Sequence, residues 1–326
     1  MNRKNIFSLL LISLLAIFII GCNTNDSLDS DKENDAEETS ENTESNFPLE
    51  VTDNTGNKIT IEEEPTEIIS VMPSNTEILF ELGLGDKVIA VTENDAYPEE
   101  VLDLDTVGDF EINVEKIISL DPDLVLAHES SVASSFDAYE QIQDAGINVY
   151  FVLDATSIEE TYDSITEIGQ ITGAEQAAEE VIADMKAGFA EIEAIVNNID
   201  EDEKKTVLFE ISPEPEIFTG GKGTFFNELI EVIGAENVAG DLDGWPQIDP
   251  ESIIDLNPDV ILTVYGEYVE DATEQVLNRD GFSEVTAVKE KAVYDVDEDM
   301  VSRPGPRLVD GAREMGQAVY PEHFKN

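Results

Sequence analysis

The chain has 326 residues, with 17 Lys and Arg against 74 Asp and Glu, for a formal charge of −57. That balance argues against nucleic acid and anionic lipid as adhesion partners, because the protein repels both. Two histidines and one cysteine leave too few ligands for a zinc or manganese centre built on several imidazoles, and no intramolecular disulfide. The acidic surplus is spread along the chain and reads as a solvated surface, adapted to salt or high pH outside the cell.

Residues 1–21 read as a signal peptide. Asn2, Arg3 and Lys4 form a positive start, Ile6 to Ile20 an apolar stretch short for a membrane span, and Ile19-Ile20-Gly21-Cys22 resembles a bacterial lipobox. Cys22 is then the expected lipidation site and mature N-terminus. Residues 22–46 carry nine acids and one lysine beyond that cysteine, with one leucine and no aromatic. Such a segment cannot bury enough apolar surface to fold, and is expected to be an extended acidic tether.

The folded part is expected to start at residue 47. Phe47 to Ile61 alternates apolar and polar residues about Asn54-Thr55-Gly56-Asn57, a hairpin signal. Ile68 to Met72 reads as a buried strand that Pro73 ends. Ser74 or Asn75 is placed to cap a helix over Glu77 to Leu82, and Val88 to Val91 and Val149 to Leu153 are further strands. Residues 47–156 form the first α/β lobe. Residues 157–199 are helical, with Ile158, Tyr162 and Ile165 on one face, a break at Thr172-Gly173, and Met185, Phe189 and Ile192 beyond it. This segment is expected to link the lobes as a spine. Residues 200–326 make the second lobe, from strand Thr206 to Ile211 to a last helix Arg307 to Tyr320.

One stretch occurs in each lobe. Residues 113–127 and 249–263 align at a constant offset of 136 with seven identities in fifteen positions, among them Glu115/Glu251, Pro122/Pro258 and Asp123/Asp259. Each copy reads as a helix stopped before proline and followed by a buried parallel strand. Two related α/β lobes imply a cleft between them, where small ligands bind.

Catalytic motifs are missing: there is no G-x-S-x-G elbow, no H-E-x-x-H and no Cys-His pair. Gly220-Gly221-Lys222-Gly223-Thr224 lacks the spacing of a phosphate loop and reads as a turn capping the helix near Phe225. With 74 acids, paired carboxylates carry no signal. Instead Tyr97, Phe110, His128, Trp245 and Tyr265 all fall beyond the carboxyl ends of predicted strands, where open α/β sheets bind ligands. Arg303 and Arg307 flank Pro-Gly-Pro and could grip an anionic group in two places, or Arg307 could pair with a surface acid.

Six segments carry a family resemblance: Pro73-Ser74-Asn75-Thr76-Glu77, Asp121 to Val125, Asp154 to Ser157, Phe218 to Lys222, Trp245-Pro246-Gln247 and Ser302 to Arg307. From about Pro65 to Tyr320 the chain resembles the substrate-binding proteins of ABC importers for vitamin B12, haem and iron siderophores, with the vitamin B12 binders the nearest branch. The resemblance implies two Rossmann-like lobes joined by a single long helix, and a cleft that closes little. It implies capture of a corrinoid, with an iron siderophore or haem on the same fold as the alternative, and no catalysis or catalytic cofactor. Ser74, Asn75, Tyr97, Phe110, His128, Trp245, Tyr265 and Arg303 are the expected ligand contacts. Phe110 stands where the resemblance implies tryptophan and His128 where it implies an aromatic residue, and His128 either ligates a metal in the cargo or hydrogen-bonds to it. Glu115 and Glu251 are expected to dock on arginines of a permease dimer that works with its ATPase subunits, unless they only stabilise their helix ends. A monomer held at the outer face of the cell membrane is implied. A carboxylate-dependent hydrolase and a structural surface lipoprotein are the rival classes.

Overall fold

The computed structural model describes residues 46–109 and 111–325. The expected leader, Cys22, the tether to residue 45 and Phe110 lie outside them. Strands β1 (Leu49–Thr52) and β2 (Lys58–Ile61) form the expected antiparallel hairpin, Leu49 opposite Ile61 and Thr52 opposite Lys58. Its turn is fixed by Asp53, whose Oδ1 accepts from the backbone N–H of Thr55 and Asn57, both at 2.9 Å.

The first lobe continues through β3 (Ile68–Ser70), α1 (Pro73–Glu81), β4 (Val88–Val91), β5 (Asp105–Thr106), α2 (Val114–Leu120), β6 (Leu124–His128), α3 (Val132–Asp144) and β7 (Asn148–Val152). Its five strands lie in the order β5-β4-β3-β6-β7, all parallel. Helix α1 starts four residues before the sequence suggests, with Met72 at the cap. Proline is well suited to a first helical position, having no N–H to leave unsatisfied, so Pro73 opens the helix as well as ending the strand. Ser74 and Asn75 therefore lie in the first turn rather than at its cap.

The linking segment is two helices. Helix α4 (Ile158–Thr172) ends at Gly173, φ +73°, and α5 (Glu175–Val196) follows. α4 packs on α1 and β7, while α5 packs on α4 and on two helices of the second lobe, so α5 is the bridge. That lobe comprises β8 (Thr206–Glu210), α6 (Phe225–Val232), β9 (Glu236–Asn237), α7 (Pro250–Leu256), β10 (Val260–Thr263), α8 (Ala272–Leu277), α9 (Thr286–Lys289), β11 (Val293–Asp295), α10 (Glu298–Ser302) and α11 (Leu308–Val319). Its parallel sheet runs β11-β10-β8-β9. Two small cores are private to one lobe each, around Ile117 and Ile142, and around Ile253 and Val276. The largest is shared, running from Leu79 and Ile165 through Met185 to Phe209, Phe226 and Met315.

The repeated stretch has a structural reason. Each helix ends on a residue in the left-handed region, Asp121 (φ 50°) and Asn257 (φ 46°), instead of the extended one that proline favours. Asp and Asn tolerate that conformation better than other side chains. Two residues on, Asp123 Oδ2 accepts from Thr66 N and Thr66 Oγ1 at 2.8 and 2.9 Å, and Asp259 Oδ2 accepts from Thr206 N and Thr206 Oγ1 at 2.9 and 3.0 Å. Each aspartate thus fastens the start of its strand to the start of the neighbouring one. Asp259→Ala should cost about 1–2 kcal/mol by leaving Thr206 N without its partner. The denaturation midpoint reads this, with the exposed Asp255→Ala as a control for lost charge; equal midpoints for the two would remove the fastening role.

Candidate ligand-binding cleft

Loops at the carboxyl ends of the strands meet at a cavity of about 330 Å³ between the lobes. The first lobe supplies Met72 to Ser74 after β3, His128 and Ser130 at the end of β6, and Asp154 to Thr156 after β7. From the second come Gly223 to Phe225 at the start of α6, Trp245, and Ser302 to Pro304. Of the expected contacts, Ser74, His128, Trp245 and Arg303 are therefore brought together. Ser130, Thr156 and Ser302 were not anticipated; hydroxyls beside strand ends carry little sequence signal, although Thr156 and Ser302 lie inside two of the family segments.

Trp245 is the exposed face of an aromatic series rooted in the second lobe. Phe209 on β8 stacks on Phe226 at 4.2 Å between centroids, and Phe226 meets the Trp245 indole edge-on at 5.4 Å. The indole is 54% exposed, so a rigid flat surface faces the cleft. Main-chain bonds lace its loop to the Phe218 to Lys222 segment: Gly221 N donates to Gly244 O (2.8 Å), Gly244 N to Lys222 O (3.0 Å) and Thr219 N to Pro246 O (3.1 Å). A β-carbon on Gly221 would lie 2.1 Å from Leu242 O, so the close approach requires glycine. These two family segments are one structural unit.

His128 is buried, with Nδ1 2.7 Å from Ser130 Oγ. Burial pushes the imidazole below its ordinary value, against the opposing fields of Asp154 and Glu129 and a hydrogen bond with the backbone of Leu153, so it is neutral near pH 7. A lowered folded value means that the unfolded chain binds the proton more readily. The contribution of His128 to stability is thus complete above its unfolded value, about 6.5, and is lost as pH falls below it. Asp95, Glu167 and Glu228, whose carboxyls burial raises, act with the opposite sign on the acid side. His128→Gln should accordingly lose less stability than the wild type between pH 7.5 and 5.5, and parallel melting curves for the two would show that His128 does not titrate as described.

The arginines do not await a ligand. Glu77, on α1 and buried, takes both: Arg303 Nη1 donates to Oε1 at 3.0 Å, while Arg307 Nε and Nη2 donate to Oε2 and Oε1 at 2.8 and 2.6 Å. Arg303 Nη2 also lies 2.7 Å from Asp299 Oδ1. This cluster joins the first lobe to the second, and the Arg307 guanidinium caps the Tyr97 ring at 4.2 Å from its centroid. Tyr97 thus packs on the clasp and is not part of the cavity wall. Asn75 also turns inward, its Nδ2 donating to Ala127 O at 3.0 Å. Tyr265 is fully buried and donates to Glu210 Oε1 at 2.6 Å, beside the Arg279–Glu210 pair. Both were placed in the cleft by position along the chain; each instead satisfies a buried acceptor.

Glu115 and Glu251 occupy the first turns of α2 and α7, are exposed, and form no ion pair among the described residues. Side chains of Asn113 and Asp249 already cap these helices, accepting from Lys116 N and Ser252 N at 3.0 and 2.9 Å. Among the described residues no helix is long and apolar enough to cross a membrane, and no three His, Cys, Asp or Glu side chains are grouped to hold a metal ion.

Residues 68–300 match the family described as periplasmic binding protein. The chain is 47% identical over 325 residues to an uncharacterised ABC transporter substrate-binding lipoprotein of Bacillus subtilis, covering 99% of each chain. It is 28% identical over 276 residues to the vitamin B12-binding protein of Vibrio parahaemolyticus, covering 82% of this chain and 93% of that one. Among solved structures, a possible iron-binding, periplasmic solute-binding protein of Staphylococcus epidermidis superposes with a TM-score of 0.71 at 38% identity, over 79% of this chain and 100% of the other.

Proposed function

The chain belongs to the periplasmic binding protein family, which binds solutes and does not transform them, and from that premise we propose that it captures a corrinoid and delivers it to an ABC importer. The exposed, rigidly backed Trp245 beside the cavity is the observation that carries the corrinoid reading. A corrin ring offers a broad flat face, and an indole held by Phe226 covers such a face without losing rotamer entropy. The likeness to a vitamin B12-binding protein supports the same ligand. A cavity of about 330 Å³ lies at the small end for ligand sites, so the macrocycle rests across the mouth with part of its edge in solvent. The protein undergoes no covalent change.

Delivery uses Glu115 and Glu251, equivalent carboxylates, one per lobe, that form no ion pair among the described residues and suit a twofold-symmetric permease dimer. Cys22 carries the lipid that keeps a monomer at the outer face of the cell membrane, and the tether of residues 22–46 gives it reach.

Trp245 is the sole tryptophan, so its emission reports on the cleft. Titration of the purified protein with cyanocobalamin should quench it saturably at one ligand per chain, and Trp245→Ala should weaken binding measured by calorimetry by about 2 kcal/mol, roughly thirtyfold. The likeness to a possible iron-binding protein favours a second reading, a ferric siderophore in the same cleft. Quenching by a ferric siderophore with none by cyanocobalamin would replace the corrinoid.

A further inference from the structure

Resting on the solute-capture reading above, we infer that the cleft selects its cargo by charge, admitting neutral and cationic macrocycles or chelates and rejecting anionic ones. Arginines beside a cleft ordinarily recruit carboxylates or phosphates. Here the two that approach it are compensated within the protein: Glu77 takes three guanidinium donors from Arg303 and Arg307, and Asp299 pairs with Arg303 at 2.7 Å. Two cations and two carboxylates leave that wall without net charge. Asp154 also lines the cavity, is exposed and forms no ion pair among the described residues, and Glu129 Oε2 accepts from Asp154 N at 3.3 Å. His128, neutral near pH 7, offsets neither. Lys222 is exposed and next to Gly223 in the chain, but it does not line the cavity.

The remaining polar side chains that line it are hydroxyls and the indole, set among apolar residues such as Met72 and Phe225, and these accept neutral amides and flat rings. The local field is therefore that of uncompensated carboxylates, in a protein whose formal charge is −57. Among the described residues no unpaired cationic side chain lines the cavity, so an entering anion meets the repulsion of Asp154 and Glu129 with only the backbone N–H groups at the starts of α1 and α6 to offset it. A cationic or neutral ligand of the same shape meets none.

Matched pairs that differ in charge and little in shape test this on the full-length protein: cyanocobalamin against its side-chain carboxylates, haem dimethyl ester against haem, and a ferric trihydroxamate against a ferric tricatecholate. Within whichever pair binds, the less anionic member should bind tighter by about tenfold or more for each added negative charge near Asp154 at low ionic strength, and the gap should shrink as salt is raised. Asp154→Asn, at an exposed position that makes no side-chain hydrogen bond among the described residues, should narrow the gap several-fold. Equal or tighter binding of the anionic member overturns charge selection and leaves solute capture standing. A gap that Asp154→Asn does not change overturns the assignment of the field to that carboxylate. If no pair binds at all, the capture of a macrocycle or ferric chelate falls, and the selection with it.

Discussion

Changing Glu115 and Glu251 to alanine together should abolish uptake of the ligand by cells while leaving its affinity for the purified protein unchanged. Each side chain leaves the first turn of its helix with no partner among the described residues, while the helix is capped by another residue, so its loss costs the fold little. A carboxylate–arginine contact at a protein interface is worth roughly 2 kcal/mol, so losing one in each lobe lowers docking affinity by about three orders of magnitude. Either single variant should retain an intermediate rate, because the remaining lobe still engages. Glu140→Ala with Glu290→Ala removes the same charge from exposed sites elsewhere and should transport normally. Full transport by the Glu115/Glu251 variant would assign these residues to helix stability alone.

Glu77→Ala should lower stability by about 3 kcal/mol, the low end for breaking a buried ion pair, because Arg303 and Arg307 keep side-chain exposures of 18% and 14%. The carboxylate is 2% exposed and serves two guanidinium groups reaching it from the other lobe. Removing it leaves charge facing charge at the junction and releases the cover of Tyr97. Glu77→Ala combined with Arg307→Met should be less harmful than Glu77→Ala alone, since the second change withdraws the stranded charge and keeps apolar bulk. Denaturant midpoints measure both. A single variant as stable as the wild type would mean that the lobes are held by apolar contacts without help from the clasp.

Much of the architecture was legible because it rests on periodic signals. Strands β3, β4, β6, β7, β8 and β10 are short, mainly apolar runs, whereas the edge strands β5, β9 and β11 carry no such run and leave no signal; the repeat at an offset of 136 marks equivalent helix–strand units whose aspartates fasten neighbouring strands. The site was less legible, for two separate reasons. Position after a strand says that a residue is near the cleft mouth, but does not say which way its side chain turns. Trp245 and His128 line the cavity, whereas Tyr265 and Asn75, at comparable places, point inward to Glu210 and Ala127. Second, the state of Arg303 depends on a residue 226 positions earlier, and pairing at that distance leaves no trace in local pattern. Glu77 lay within a recognised segment, yet in a chain with 74 acids nothing singled it out as the counter-ion.

The apolar core that continues from Leu79 through Met185 to Met315 also bears on how the protein comes apart. Lobes with separate cores can melt independently, and a carrier built that way could lose one half while the other remained folded. Here the largest buried cluster belongs to both, so neither lobe can lose its packing without exposing apolar surface of the other. The shared cluster thereby couples the unfolding of the two lobes, and damage on the side away from the cargo is expected to reach the cleft through that equilibrium, with no change in any residue that touches the ligand.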